Sequence, residues 1–175
     1  MVDTKIGGME GGDLGASPAG TEEFWLQNAA GGIDFFWPVS TMRTYALKGL
    51  IRYVQITVIA DDANNVVADG QAFFHVPVQL NGTNLVEVHA EVIVAGTTGT
   101  QDIQIRNVTQ AGVNMLTTEI TIDTGETGSD EAAIPPVIDA ANDDVATNDL
   151  IAIDVDVVHT TPAKGLIVTM GFQTP

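Results

Sequence analysis

The stretch LVEVHAEVIVA, residues 85–95, decides the fold class, because apolar and polar side chains alternate along it. A period of two residues is typical of a β-strand with one buried face and one solvated face. The predicted inward residues are Val86, Val88, Ala90, Val92 and Val94, and the predicted outward residues are Glu87, His89 and Glu91. We therefore expect a strand whose apolar side faces a core.

The segment that follows predicts a turn and a second strand. GTTGT, residues 96–100, has the glycines of a turn, and DIQIRNV, residues 102–108, alternates again. Ile103 and Ile105 are predicted to face inward, and Asp102, Gln104 and Arg106 outward. Two strands joined in this way predict a β-hairpin.

Five further stretches have the same character. They are LIRYVQITVIA (50–60), AFFHVPV (72–78), TTEITID (117–123), LIAIDVDVV (150–158) and GLIVTMGF (165–172). The predicted inward residues are Ile120, Ile122, Ile151, Ile153, Val155, Val157, Leu166, Val168, Met170 and Phe172, with Asp154 and Asp156 outward. Pro77 marks its stretch as an edge strand or bulge. With no βαβ spacing, the chain is expected to be mainly β, an antiparallel β-sandwich of jelly-roll type over residues 49–175.

Residues 1–48 differ in composition and are predicted to form a separate N-terminal arm. They are rich in glycine and alanine and have little periodicity. The exception is STMRTYALKG, where Ser40 can cap a helix and Gly49 can end it. We expect an extended arm with a short helix at about residues 41–48.

The arm contains an aromatic cluster that its own composition does not explain. Five of the ten aromatic residues of the chain lie within residues 22–38, and they are Phe24, Trp25, Phe35, Phe36 and Trp37. Together they could bury about 1,000 Å² of surface, more than a glycine-rich segment can cover. They are therefore interface candidates that pack on their own sandwich, between protomers, or on a larger particle.

The net charge and the apolar runs of the sequence limit the classes of partner that we expect. The net charge is −17, of which residues 53–175 contribute −15, from seventeen acidic residues and two basic ones. Such a surface repels phosphate backbones, so nucleic acid is not expected as a partner. The sequence has no cysteine, no basic-apolar leader at its start and no apolar run near the ~18 residues of a membrane helix. We expect a protein made in a cytoplasm, without a membrane partner.

The residues of common active sites do not form recognisable motifs. The three serines stand outside any G-x-S-x-G elbow, and the three histidines have no metal-ligand spacing. We therefore expect no enzymatic activity and no cofactor. The acidic stretches 122–131 and 139–150 leave structural calcium open, although they lack the EF-hand spacing. A melting temperature insensitive to chelator would contradict calcium binding.

The N-terminal residues resemble a segment found on many tailed-bacteriophage fibre and capsid-decoration proteins. That segment reads Lys-Ile-Ser-x-Leu, Gly-Thr-Glu, and a Gln-x-x-Gly hairpin that ends in Val-Ser before a short helix. The matching residues are Lys5-Ile6, Gly20-Thr21-Glu22, Gln27, Gly31-Gly32 and Val39-Ser40. The chain departs from the pattern at Gly7-Gly8-Met9 and in the aromatic DFFWP.

The rest of the chain resembles a β-sandwich of phage virion proteins. The stretches that carry this resemblance are VPVQLNGTNLVEV (76–88), AGTTGTQDIQIRNVT (95–109), MLTTEITID (115–123), PPVIDAANDDVATND (135–149) and AKGL (163–166). The resemblance implies a virion structural protein, homo-oligomeric and typically trimeric. Its arm would bind the major capsid protein or another virion protein on the outside of the particle. A capsid decoration or head fibre is the first expectation, and a tail-fibre receptor-binding module for a host glycan or protein is the alternative.

Overall fold

The computed structural model describes residues 49–175 and, before them, the backbone of strands β1 (Glu23–Leu26) and β2 (Phe35–Pro38). The chain divides into two compact units, Met1–Leu50 and Ile51–Pro175. In the first unit β1 and β2 pair antiparallel, with Phe24 opposite Trp37 and Trp25 opposite Phe36. The helix predicted at about 41–48 lies outside the described residues.

The second unit is mainly β, and all of its strand pairs are antiparallel, as the sequence predicts. A 3-10 helix, Val78–Leu80, is its one helical turn among the described residues. The strands are β3 (Arg52–Asn64), β4 (Ala68–His75), β5 (Thr83–Glu91), β6 (Gln101–Asn107), β7 (Val113–Asn114), β8 (Leu116–Thr118), β9 (Ile120–Ile122), β10 (Val137–Ile138), β11 (Asp144–Val145), β12 (Leu150–Val157) and β13 (Lys164–Gln173).

Two sheets contain most of these strands. The four-stranded sheet has the order β11-β5-β13-β3, and the five-stranded sheet has the order β4-β12-β6-β7, with β9 also paired to β6. β8 and β10 form a separate small pair. β4 is an edge strand, as predicted from Pro77. Pro77 lies two residues after the end of β4, and it has no N–H to donate to a ladder.

Apolar residues of both sheets form one buried cluster. The inward residues predicted for β13, Leu166, Val168, Met170 and Phe172, are all fully buried. The inward residues predicted for β6 and β9 are also fully buried, as are three of the four predicted for β12. Alternation identifies these faces because side chains of a strand point to opposite sides at each step.

The strand that decides the fold contains a bulge that the alternation does not predict. Opposite β13, Gly171 pairs with Glu87 and Phe172 pairs with Leu85, so β5 has one extra residue there. As a result Leu85 enters the core and the prediction for Val86 was wrong. Val94 was also predicted inward but lies beyond the end of β5 and is 49% exposed.

The predicted hairpin of residues 85–108 was wrong. β5 belongs to the four-stranded sheet and β6 to the five-stranded sheet. The connecting segment instead pairs with the first residue of β13 and the chain just before it, through backbone hydrogen bonds of Val94 with Lys164 and of Thr97 with Thr161. A glycine-bearing turn is compatible with either connection, so it does not identify the pairing partner.

Three more side chains depart from the predicted faces, all on the inner strands of the five-stranded sheet. Gln104 and Asp154 were predicted outward but are each 4% exposed. Val157 was predicted inward and is 40% exposed, because the register of β12 shifts after Val155. Strands covered on both faces lose the simple alternation of burial.

Candidate functional site

The exposed face of the four-stranded sheet carries an ordered array of polar side chains, which we call the polar face. The pairing of β13 with β3 and with β5 places these residues in three rows across the sheet. The rows are Tyr53–Gly171–Glu87, Gln55–Thr169–His89 and Thr57–Ile167–Glu91. In the second and third rows, the Cβ atoms of neighbours lie about 4.5–5.5 Å apart, so their side chains can act on one ligand.

The first row depends on a glycine. A Cβ at Gly171 would lie 3.1 Å from Tyr53 Cε1, 3.1 Å from the Cβ of Glu87 and 2.9 Å from Ile51 Cγ2. Because that space is free, the phenol of Tyr53 reaches across and donates a hydrogen bond to Glu87 Oε2 at 2.6 Å. This bond to a carboxylate, together with burial and the charge of Glu87, raises the pKa of Tyr53 above its ordinary value.

The second row contains a histidine held by two partners. His89 Nδ1 lies 3.1 Å from the hydroxyl oxygen of Ser129, and Nε2 lies 3.4 Å from Glu91 Oε1. Beside it, the amide of Gln55 donates to the hydroxyl of Thr169 at 3.4 Å. These contacts orient donors and acceptors on the exposed side of the sheet.

Serine, histidine and glutamate are also the residue types of a hydrolytic triad, but here the serine is buried and bonded to the backbone of β5. Ser129 is 5% exposed, and its hydroxyl oxygen accepts a hydrogen bond from the Ala90 amide at 3.0 Å. Its own amide donates to the Ala90 carbonyl at 2.9 Å. Ser129 therefore holds its loop against the outer edge of β5.

A groove with a volume of about 650 Å³ runs along the polar face. Residues 135–138 form one wall, and Tyr53, His89 and Thr169 are among the residues on the other sides. Val86 also lines the groove, because the bulge in β5 gives the core position to Leu85. The groove thus combines an apolar wall with residues of the first two rows.

No lysine or arginine lines this groove among the described residues, and its charged side chain is Glu87. The groove lies on a unit that is itself strongly acidic. An anionic ligand would therefore meet an unfavourable field in the groove.

The corresponding face of the five-stranded sheet is occupied by a partly buried ion pair. Arg106 Nε donates to Asp154 Oδ2 at 2.7 Å, and Nη2 donates to Oδ1 at 3.1 Å. The Gly70 amide also donates to Oδ1. The hydrogen bond to Asp154 is the main cause that raises the pKa of Arg106. A carboxylate that is 5% exposed needs such partners, so this pair has a structural role.

Beside this sheet, Glu119 has a perturbed pKa. Burial, a hydrogen bond with Asp156 and the charges of Asp156 and Asp102 raise its pKa to about 7. The pKa of Glu119 thus responds to a hydrogen-bonded carboxyl group, Asp156 on β12, and to the charge of Asp102 on β6.

The two acidic loops use their carboxylates within the protein. Asp149 Oδ2 accepts hydrogen bonds from Asn107 Nδ2, Gln110 Nε2 and the Ala146 amide. Asp123 accepts a hydrogen bond from the Ala133 amide. The part of the chain that the structure describes contains no group of three or more His, Asp or Glu residues arranged to hold a metal ion. We therefore find no support for calcium in loops 122–131 and 139–150.

The structure brings the two halves of the predicted aromatic interface together at the level of the backbone. Phe24 and Trp25 lie in β1, and Phe35, Phe36 and Trp37 lie in β2, which pairs with it.

The sequence did not predict the polar face as a candidate site, because His89, Glu87 and Glu91 were interpreted as a solvated strand surface. The partners that complete the rows come from β3 and β13, which are distant in sequence.

Comparisons with protein-family models, curated proteins and solved structures found no match for this chain. Within the described residues, no helix has the length and apolar character that a membrane crossing requires.

Proposed function

We propose that this chain is a non-enzymatic structural protein of a tailed-bacteriophage particle that decorates the capsid exterior as a head-decoration or head-fibre protein. The observation that carries the proposal is the antiparallel pair β1–β2, which joins the aromatic stretches in a unit separate from the β-rich one. The resemblance of residues 5–47 to phage attachment segments supports the same role.

The β-rich unit, we infer, is a β-sandwich of jelly-roll type. Two antiparallel sheets that contribute to one apolar cluster support this architecture. Sheets that pack face to face bury their facing apolar residues together, which is the pattern of burial in β5, β6, β12 and β13.

The aromatic residues of the arm are the proposed attachment surface. Phe24, Trp25, Phe35, Phe36 and Trp37 are the anchors in this proposal, because tryptophan and phenylalanine are frequent energetic centres of interfaces. The partner is the major capsid protein or another virion protein, and copies of the chain associate as a homo-oligomer, with a trimer as the first choice.

Charge gives the β-rich unit its proposed orientation. With a net charge of −15, residues 53–175 repel nucleic acid and disfavour nonspecific association. An outward-facing unit on the particle fits that charge, and no membrane or nucleic-acid partner is proposed. The protein is made in the host cytoplasm and then joins the virion.

Immunogold electron microscopy with an antibody against residues 49–175 tests this function. Gold over the head is the expected result. In particles assembled with the double variant Trp25→Ala/Phe36→Ala, we expect the head label to be lost, since the paired anchors are removed. Particles with Phe73→Ala, an exposed aromatic of the β-rich unit, are the matched control and should keep the label.

A second candidate function is a tail-fibre or tail-tip module that binds a host receptor. The polar face and its groove favour it, because an exposed array of oriented hydrogen-bonding groups is typical of a recognition site. Gold confined to the tail end would support this candidate and contradict the capsid location.

A further inference from the structure

We propose that the polar face is a binding site for a neutral saccharide. The site consists of the three rows on β3, β13 and β5 together with the apolar wall of residues 135–138. This inference deepens the receptor-binding candidate by naming its site and ligand class. It does not depend on where the chain lies on a particle.

The polar face offers both donors and acceptors, which is what a sugar requires. Each sugar hydroxyl donates and accepts, so a saccharide is matched by a mixture of groups. Gln55 supplies an amide, Thr169 a hydroxyl, and Glu87 and Glu91 carboxylates, while His89 can donate or accept. Their contacts with one another hold these groups in place before a ligand arrives, which lowers the entropy cost of binding.

The polar face also offers apolar surface for the C–H groups of a sugar ring. Tyr53 is 59% exposed and held in position by its hydrogen bond to Glu87. Val86 and the wall of residues 135–138 line the same groove as Tyr53. An oriented aromatic ring next to hydrogen-bonding groups suits a ligand that is apolar on its ring faces and polar at its edges.

Charge selects a neutral ligand. With two glutamates and no lysine or arginine on the polar face, sugars with carboxylate, sulfate or phosphate groups are disfavoured. A basic peptide is the other ligand that acidic residues could attract. It offers mainly donors, however, and Glu87 already accepts the Tyr53 hydroxyl while Glu91 lies beside His89. The amide of Gln55 and the hydroxyl of Thr169 fit a sugar better than a cation.

The dimensions of the polar face fit a short oligosaccharide. Three rows extend about 13 Å along the strands, and three strands extend about 10 Å across them. Gly171 lets the ring of Tyr53 lie close over the sheet, so a sugar ring can approach the exposed side of that ring.

The test is calorimetric titration of the full chain with a panel of neutral oligosaccharides of glucose, galactose, mannose, rhamnose and N-acetylglucosamine. Sialylated and uronic-acid oligosaccharides serve as anionic probes, and an oligoarginine peptide serves as a cationic probe. Titration reaches about 10 mM ligand, which would fill about 90% of a site with a Kd near 1 mM. We expect binding of at least one neutral oligosaccharide and of no anionic one.

Three variants locate the binding. Tyr53→Ala should weaken it by about tenfold or more, because the ring contact is lost. Thr169→Val keeps the shape and strand preference of the residue while removing a hydroxyl, and should weaken binding by a smaller factor. Phe73→Ala, a similarly exposed aromatic in the five-stranded sheet, should bind as the unchanged protein does.

The proposal is overturned if no neutral oligosaccharide of the panel binds, or if only the oligoarginine peptide does. It is also overturned if Tyr53→Ala and Thr169→Val both bind a neutral sugar with unchanged affinity, because the sugar site would then lie elsewhere. A Thr169→Val variant that melts like the unchanged protein keeps the test decisive even if Tyr53→Ala folds poorly. None of these outcomes bears on the location of the protein on a virion, which the gold label tests separately.

Discussion

The two sheets of the β-rich unit share the same alternation of residues but use their polar sides differently. In the five-stranded sheet, Gln104 and Asp154 point away from the predicted core side and are nevertheless each 4% exposed. In the four-stranded sheet, Tyr53, Gln55 and Glu87 are exposed. The same kind of residue is thus structural in one sheet and available to a ligand in the other.

The cause of the difference is the chain that lies beside β6. The strand opposite it is interrupted between β7 and β9, and the side chain of Gln104 fills the gap. Its amide group bonds both the carbonyl and the amide of Leu116, each at 3.2 Å. A polar side chain of a strand can therefore contact a ligand only where no other segment of the chain covers it.

The largest expected effect comes from breaking the ion pair of the five-stranded sheet. Arg106→Ala leaves the carboxylate of Asp154 buried without its charged partner. It should lower the free energy of unfolding by about 3 kcal/mol, the lower end of the range for buried pairs, because the Arg106 side chain is 26% exposed. Urea denaturation measures the change. Lys164→Ala, which removes an exposed basic residue, is the control and should change stability by less than about 0.5 kcal/mol. An equal effect of the two variants would remove the structural role assigned to Arg106.

The two glutamines provide a matched pair between the sheets. Gln104→Ala leaves the backbone groups of Leu116 without partners and should cost about 1–3 kcal/mol of unfolding free energy. Gln55→Ala, on the polar face, should change it by less than about 0.5 kcal/mol. Denaturation curves of both variants measure the two unfolding free energies. A larger loss of unfolding free energy for Gln55→Ala than for Gln104→Ala would contradict the assignment of Gln104 as the structural residue.

A pH-dependent effect is expected beside the five-stranded sheet. The pKa of Glu119 is raised to about 7 in the folded protein, so its stabilising protonated form is present at low pH and lost as the pH rises through about 7. Glu119→Gln, which stays neutral, should therefore be more stable than the unchanged protein at pH about 8, by about 1 kcal/mol after solvent screening, and similar to it near pH 4. Melting temperatures across this range measure the difference.

Glu131→Gln, in an exposed loop, is the control for that experiment. It should follow the pH dependence of the unchanged protein. If Glu119→Gln also follows it, the carboxyl group of Glu119 is not the one that titrates near neutral pH.

The smallest stability effect is expected on the polar face. Tyr53→Phe removes one exposed hydroxyl group and should leave the melting temperature nearly unchanged. The same variant should still weaken saccharide binding, because Glu87 loses the contact that positions it. Thermal melting and calorimetric titration of one sample measure both quantities. A melting temperature lowered as far as that of Gln104→Ala would give Tyr53 a structural role instead.

The sequence predicts the faces of strands better than their partners. Alternation identifies the buried residues of β13, since it depends on the residues of that strand alone. It does not identify the bulge that brings Leu85 into the core, which requires the register against Phe172. The hairpin of β5 and β6 was wrong for the same reason, because which strands pair is decided by contacts across the whole unit.

The candidate site also depends on strand pairing, which the sequence does not predict. Glu87, His89 and Glu91 were recognised as an outward face, but Tyr53 and Gly171 complete their first row from positions far along the chain. A glycine in a strand otherwise rich in apolar residues was the available signal, because it indicates close approach of other groups.

The pairing of β3 with β13 also has a consequence for how the protein folds. It joins the first and the final strand of the β-rich unit, with Arg52 opposite Phe172. Contacts between such distant residues make folding slow, on a timescale of about milliseconds to seconds, because a long loop must close first. During synthesis on the ribosome, the four-stranded sheet cannot be completed until β13 has emerged. Each row of the polar face includes a residue of β13, so ligand binding would report a fully folded unit, and no shorter nascent chain would bind.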